Sequence, residues 1–402
     1  MANRGERRNI QSDPSTRHDR AAENIANVSQ SSRWDALDVV RGLSVAGMLV
    51  VNNPGTWDAV YPPLRHAAWH GWTPTDLIFP LFLFIVGITT ALSLARRAEA
   101  GATDGQIRRR IIARGGLIAL SGLLLAAFPF LPVERITDVR IPGVLQRIGV
   151  CYGVGALLAW RRPDRGVLGV VAALLVGYWA ILALAPVPGQ AWRTIDVPGQ
   201  TFAAYVDRLL LDGHLWSASK TWDPEGPLST LPAIGTLLLG VLAGRIVRRT
   251  ASLESRLTAL FGWGTIGVVA GLVWNWGFPI NKSLWTSSYV LFSAGIAALL
   301  LATVTWIIEV RAVRGWAAPF RTYGLNPLLA FLGSGVMARA IGSLITVEVG
   351  GQPRSLQRLI FERGFASWLP PIDASLGYAI AFVGVWYLVL LTFERRGWIL
   401  RI

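Results

Sequence analysis

The stretch Leu77–Ala95 contains no charged residue, and this does most to limit what the chain can become. A bilayer core takes about 20 apolar residues of helix. Runs of this kind recur along the 402 residues, giving ten candidates with rough edges: 36–53, 75–95, 112–132, 141–160, 167–187, 229–247, 257–277, 286–308, 323–345 and 375–393. Charges fall within several of these runs, the first, fourth and ninth among them. Composition agrees: 52% of residues are hydrophobic and 15% are charged, against about 25% charged in a soluble protein. A disordered chain is excluded. The expected fold is an all-α polytopic membrane protein, with about ten transmembrane helices in one bundle. The single cysteine, Cys151, rules out an intrachain disulfide and a cysteine metal cage, and no metal site is expected.

The formal net charge of +14 is explained by orientation. The loops that fall alternately on one side hold more than twice as many Lys and Arg as the five opposite loops, although the opposite loops are longer in total. Examples are Arg96 and Arg97 with Arg108–Arg110, then Arg161, Arg162 and Arg165, then Arg395 and Arg396. Basic residues stay on the cytoplasmic side, so both termini are expected in the cytoplasm. Residues 1–34 are polar, with no apolar run, and read as a disordered cytoplasmic tail. Residues 35–402 form the transmembrane domain, with two long extracytoplasmic loops at 188–228 and 346–374. The charge needs no nucleic acid, although the basic loops suit anionic lipid headgroups or an anionic cofactor. Lys220 and Lys282 stand against 36 Arg, a bias that suggests a GC-rich bacterial genome.

Polar chemistry collects in a few places. The first outer loop carries two of the four histidines, His66 and His70, just before Asp76 at the mouth of the second apolar run. Histidine accepts protons near neutral pH, and a carboxylate can orient its ring. His66 and Asp76 make such a pair if the loop folds back; His70 is the competing candidate. Trp69 and Trp72 read equally well as interfacial belt residues. Charges inside apolar runs are costly and are functional candidates by default. Arg147 lies about two turns into the fourth run, with snorkelling as the alternative. Asp38 and Arg41, three apart near the inner end of the first, can pair on one helix face. Arg339 is a weaker candidate. Asn326 opens the ninth run, where helix capping is the plainer reading. Asn281 and Lys282 share the shortest outer loop, and the ammonium suits an acceptor or a thioester carbonyl, or serves as an interfacial anchor.

Read together and in order, several segments resemble the heparan-α-glucosaminide N-acetyltransferase family. They are Asp38-Val39-Val40-Arg41-Gly42, Asn52, the stretch from His66-Ala67-Ala68-Trp69 through Asp76-Leu77-x-Phe79-Pro80, and Arg140-Ile141-Pro142-Gly143-Val144-Leu145-Gln146-Arg147. Asp223-Pro224-Glu225-Gly226, Asn281-Lys282-x-Leu284-Trp285 with Ser288-Tyr289-Val290, and Gly324-x-Asn326 continue the series, which covers about residues 35 to 345. The resemblance implies a membrane-embedded acyltransferase. Acetyl-CoA would be supplied on the cytoplasmic side, and the acetyl group would pass to a terminal glucosamine on the far side. The family's active histidine falls on His66 and its aspartate on Asp76. Two departures flank the presumed acceptor site: His70 replaces the family's Asn, and Asn53-Pro54-Gly55 replaces a glycine run.

The expected function is therefore acyl transfer from acetyl-CoA to an amine or hydroxyl of an extracytoplasmic sugar or glycan. His66 acts as general base, or takes the acetyl group itself. Asp76 orients it, and Asn52, Asn281 or Lys282 stabilises the oxyanion. Arg41, Arg147 and Asn326 are the expected donor-channel residues; Trp69, Asp223 and Glu225 complete the expected substrate-contacting set. The rival reading is a transporter or flippase, which would also have ten spans and buried arginines. The expected location is the bacterial inner membrane. A homodimer is plausible by resemblance only.

Overall fold

A computed structural model of the chain describes residues 34–130, 137–190, 195–250 and 252–400. Residues 1–33, which make up nearly all of the expected cytoplasmic tail, lie outside the described residues. A helix occupies each of the ten expected segments: α1 (Asp35–Asn52), α2 (Ile78–Glu99), α3 (Asp104–Ala127), α4 (Val144–Ala159), α5 (Asp164–Leu184), then, beyond a short helix α6 (Phe202–Leu211), α7 (Pro227–Arg249), α8 (Leu253–Asn275) and α9 (Ser287–Thr305). A short α10 (Ala318–Leu325) leads into α11 (Pro327–Arg339); after α12 (Leu356–Phe361), α13 (Pro371–Arg395) completes the set. Among the described residues, eight helices are long and apolar enough to cross a membrane. The other two are α4, which is apolar but shorter, and α1, which carries Asp35, Asp38 and Arg41 in its first turns. The chain is a multi-pass helical membrane protein.

The largest departure from the expected edges is at α3, which begins eight residues before the apolar run at 112. Thr103 Oγ1 accepts a hydrogen bond from Gln106 N, and Gln106 Oε1 accepts one from Thr103 N. This reciprocal cap starts the helix early. Arg108–Arg110 are thus helical and exposed, where the sequence suggests a loop.

Backbone contact between helices sets the packing. A side chain at Gly87 of α2 would come within 2.1 Å of the Leu237 carbonyl, and one at Gly240 of α7 within 2.1 Å of the Phe84 carbonyl. The two glycines let α2 and α7 cross at the closest possible range. Around this crossing lies a core of Leu83, Cys151, Leu237, Trp285 and Tyr289, all nearly fully buried. The two long segments between helices have structure of their own. Residues 188–228 hold α6, whose first turn is capped by Thr201 Oγ1 accepting from Ala204 N. Residues 346–374 hold an antiparallel hairpin of β1 (Thr346–Val349) and β2 (Gln352–Ser355), followed by α12.

Candidate active site

The loop from α1 to α2 folds back on itself through one carboxylate. A 3-10 turn at Pro74–Leu77 places Asp76 at the entrance to α2, where it is 1% exposed. Asp76 Oδ2 accepts from Ala67 N at 3.0 Å and Thr73 N at 2.9 Å. Its Oδ1 lies 2.6 Å from His66 Nδ1. The Tyr289 hydroxyl, from buried α9, donates to the Asp76 carbonyl and fixes the turn to the core. An ionised carboxylate can only accept, so His66 carries its proton on Nδ1. The lone pair then sits on Nε2, to which nothing among the described residues hydrogen-bonds, and the His66 side chain is 49% exposed. The structure therefore brings His66 and Asp76 together, ten residues apart in sequence.

The same loop is stitched to its neighbours a few residues later. Gly71 N donates to Ile280 O at 2.8 Å, with Gly71 at a φ of +93°, where a side chain would be strained. Trp69 Nε1 donates to Ile195 O, and the Trp69 ring meets Trp222 edge-on at 5.3 Å. His70 uses both nitrogens: Nε2 contacts Asp196 Oδ1 at 3.0 Å, and Nδ1 faces the Asn281 amide at 3.3 Å. Asn281 is fully buried, and its side-chain oxygen accepts from Leu284 N. Thus Trp69, His70 and Asn281 join the α1–α2 loop to residues 195–196 and to the α8–α9 connection, while Lys282 stands beside them, near enough to Glu225 to act on its charge.

A buried charged cluster lies beneath. Arg140 grips Asp223 through Nε and Nη2 at 2.8 and 2.6 Å and also reaches Glu225. Burial works against each of these charges. For Glu225 the positive charges of Arg140, Lys282 and Arg147 more than offset burial and hold its carboxyl below the ordinary range. Burial likewise opposes the Arg140 charge, but the two carboxylates raise it above the usual arginine value. His214 braces this segment from behind, with Nδ1 donating to Val139 O and its own carbonyl accepting from Ile141 N. Asp207, on α6, was not singled out from the sequence. It accepts from Asp223 N through Oδ2, while Oδ1 is buried without a partner. Burial, reinforced by the Asp223 charge, pushes its carboxyl up to about 7. Arg147 is 2% exposed; Nη2 donates to Gly226 O and Ser229 Oγ, and the guanidinium lies 5.1 Å from the Trp285 ring centroid. Its Nε and Nη1 find no acceptor.

Two adjoining cavities lie between the helices and share Met48, Leu145 and Phe331 in their walls. One, of about 430 Å³, lies toward the end of α1 and is lined by Asn52, Asn53, Arg140, Gln146, Ser334 and Arg339. The other, of about 130 Å³, lies toward the start of α1 and is lined by Arg41, Thr89, Thr90, Arg114 and Tyr152. Asn52 lines the first cavity and Arg41 the second, whereas His66, Arg147 and Asn326 line neither. Arg41 pairs with Asp38 and donates Nε to Gly324 O at 2.8 Å. Asn326 is 1% exposed and ties down the end of the chain: Nδ2 donates to Trp398 O and Oδ1 accepts from Leu400 N. A larger groove of about 1060 Å³ lies along α8, lined by Phe261, Ile266 and Trp306, and contains none of these residues. Among the described residues, no group of three His, Cys, Asp or Glu is placed to hold a metal ion.

Fold and site together define a multi-pass helical membrane protein with an oriented histidine on the loop between α1 and α2 and adjoining cavities between its helices. Residues 33–273 match the family model described as heparan-alpha-glucosaminide N-acetyltransferase, catalytic. The chain is 31% identical to the heparan-alpha-glucosaminide N-acetyltransferase of Mus musculus over 360 residues, covering 77% of this chain and 54% of that protein. It is 32% identical to the Homo sapiens protein of the same name over 355 residues, covering 75% and 52%. The chain belongs to the heparan-alpha-glucosaminide N-acetyltransferase family, and it spans about half the length of the curated relatives it matches.

Proposed function

We propose that this protein is a transmembrane acyltransferase of a bacterial inner membrane. It moves an acetyl group from cytoplasmic acetyl-CoA to an amine or hydroxyl of an extracytoplasmic, glucosamine-like sugar. The observation that carries this reading is the His66–Asp76 pair: a buried, fully engaged carboxylate that fixes the tautomer of a half-exposed imidazole and leaves Nε2 basic. Family membership supports the same chemistry.

In this mechanism the two adjoining cavities act as one passage: the donor enters at the Arg41 end and its thioester reaches the Asn52 end. The acceptor approaches His66 from the outer loop. Nε2 takes the acceptor's proton as its nitrogen or oxygen attacks the acetyl carbonyl. Asn52 donates to the oxyanion; its amide has no partner among the described residues and lines the passage. The C–S bond then breaks, and the proton held on His66 neutralises the departing thiolate. Asp76 stabilises the imidazolium in between. Asn281 and Lys282 hold the loop on which the acceptor rests, beside Trp69. The Arg140–Asp223–Glu225 cluster keeps the adjoining wall in place.

The test is turnover by purified protein in proteoliposomes, supplied with acetyl-CoA and glucosamine. Thioester consumption that depends on the acceptor is expected; no binding or consumption of acetyl-CoA would end the enzyme reading. The through-bundle passage also suits a transporter, and sugar movement without thioester consumption would favour that reading. Rapid-quench labelling with radioactive acetyl-CoA and no acceptor separates the two enzymatic routes. Label on His66 means an acetyl-histidine intermediate, and its absence means direct transfer.

A further inference from the structure

Arg114 is the charge that neither the apolar pattern nor the outer-loop chemistry accounts for. It lies on α3, one turn beyond the exposed Arg110, and lines the smaller of the two cavities. Arg41, on the same wall, is neutralised by Asp38. Arg114 has no carboxylate partner among the described residues. Its Nε is buried without an acceptor, and its guanidinium rests on the face of buried Tyr152, 5.0 Å from the ring centroid. A cation–π contact orients a guanidinium without using its N–H donors, and an uncompensated arginine within a transmembrane helix is costly. The donors of Arg114 thus find no hydrogen-bond acceptor among the described residues, in a cavity also lined by Thr89 and Thr90, whose hydroxyls donate to Val86 O.

We propose that Arg114 is the anion-reading residue of this passage and binds the diphosphate of a CoA-type donor as its pantetheine arm threads toward Asn52. The proposal rests on the donor reading above. The geometry suits it: the cavity that Arg114 lines, of about 130 Å³, is the smaller of the two and adjoins the one of about 430 Å³ at Asn52. In this proposal the adenosine stays at the mouth, and the diphosphate joining it to the arm is the anionic group next to Arg114. A planar guanidinium held by a ring matches phosphate oxygens in two-pronged fashion.

Three acetyl thioesters test this on full-length protein by equilibrium binding and by turnover: acetyl-CoA, its 3′-dephospho form, and acetyl-pantetheine, which lacks phosphate. Arg114→Gln is expected to weaken acetyl-CoA and the 3′-dephospho form equally, by about ten- to a hundredfold. Acetyl-pantetheine binding should stay unchanged, and Arg114→Lys should recover part of the loss. Equal loss for all three thioesters, including acetyl-pantetheine, would make Arg114 structural and overturn the proposal. Loss for acetyl-CoA alone would place it on the 3′-phosphate and overturn the diphosphate assignment. If wild-type protein binds none of the three, the donor reading itself fails, and this proposal with it. If wild type binds acetyl-CoA tightly and Arg114→Gln binds it as well, only this proposal fails.

Discussion

His66 and His70 stand four residues apart on one loop, and each meets an aspartate. His66 faces Asp76, which is buried and already accepts two backbone N–H groups. His70 faces Asp196, whose side chain is 68% exposed. His66 keeps Nε2 open, whereas both nitrogens of His70 are engaged, by Asp196 and by Asn281. The same two residue types therefore do different work. A carboxylate locked by other donors can orient an imidazole for proton transfer, while one in water can only tether it. The open nitrogen, rather than the ion pair itself, marks the reactive histidine.

The first way to break this comparison is to remove the lock. Asp76→Asn keeps the shape but can donate a hydrogen bond to His66 Nδ1, which favours the opposite tautomer. Turnover should fall about a hundredfold or more with little change in donor binding; unchanged turnover would remove Asp76 from the mechanism. Next comes the cluster behind the site. Arg140→Gln would leave Asp223 and Glu225 buried without their cation, at a cost of about 3 kcal/mol. Markedly lower thermal stability in detergent is expected, and stability equal to wild type would show that the two carboxylates reach water.

A smaller effect is expected at Asp207. Its raised value means that the folded protein holds a proton there which the unfolded chain releases between about pH 4 and 7. Stability must therefore fall as pH rises through that window, because the folded state binds more protons. Asp207→Asn should lessen the fall seen for wild type in melting curves between pH 5 and 7.5; an identical slope would show that Asp207 is ionised throughout. The smallest effect belongs to the second pair. Asp196→Asn should change turnover by no more than a few-fold, since an exposed pair contributes about 0–1 kcal/mol; a large loss would give His70 a share of the chemistry.

Much of this was legible in the sequence, for identifiable reasons. Membrane helices announce themselves by long apolar runs, so ten segments could be marked before any contact was known; eight of the described helices are long and apolar enough to cross a membrane. Their edges were less legible where capping, not hydropathy, sets the start, as at Thr103 and Gln106. The His66–Asp76 pair is local, and a Pro-led turn closes it. Roles that depend on distant partners were hidden. Nothing near Asn326 tells that it will hold Trp398 and Leu400, more than seventy residues on. Asp207 sat unmarked in a connector, because its burial is made by Asp223 and Gly226. Arg114 was masked by Arg108–Arg110, which make it look like the edge of a basic loop; only the cavity separates it from them.

The central claim is that His66, and not its neighbour, is the base. Acceptor-dependent consumption of acetyl-CoA in proteoliposomes by His66→Ala and His70→Ala tests it side by side. His66→Ala should lose at least about a hundredfold in turnover, while His70→Ala stays within a few-fold of wild type. Retained turnover in His66→Ala, or a larger loss in His70→Ala, would contradict the account.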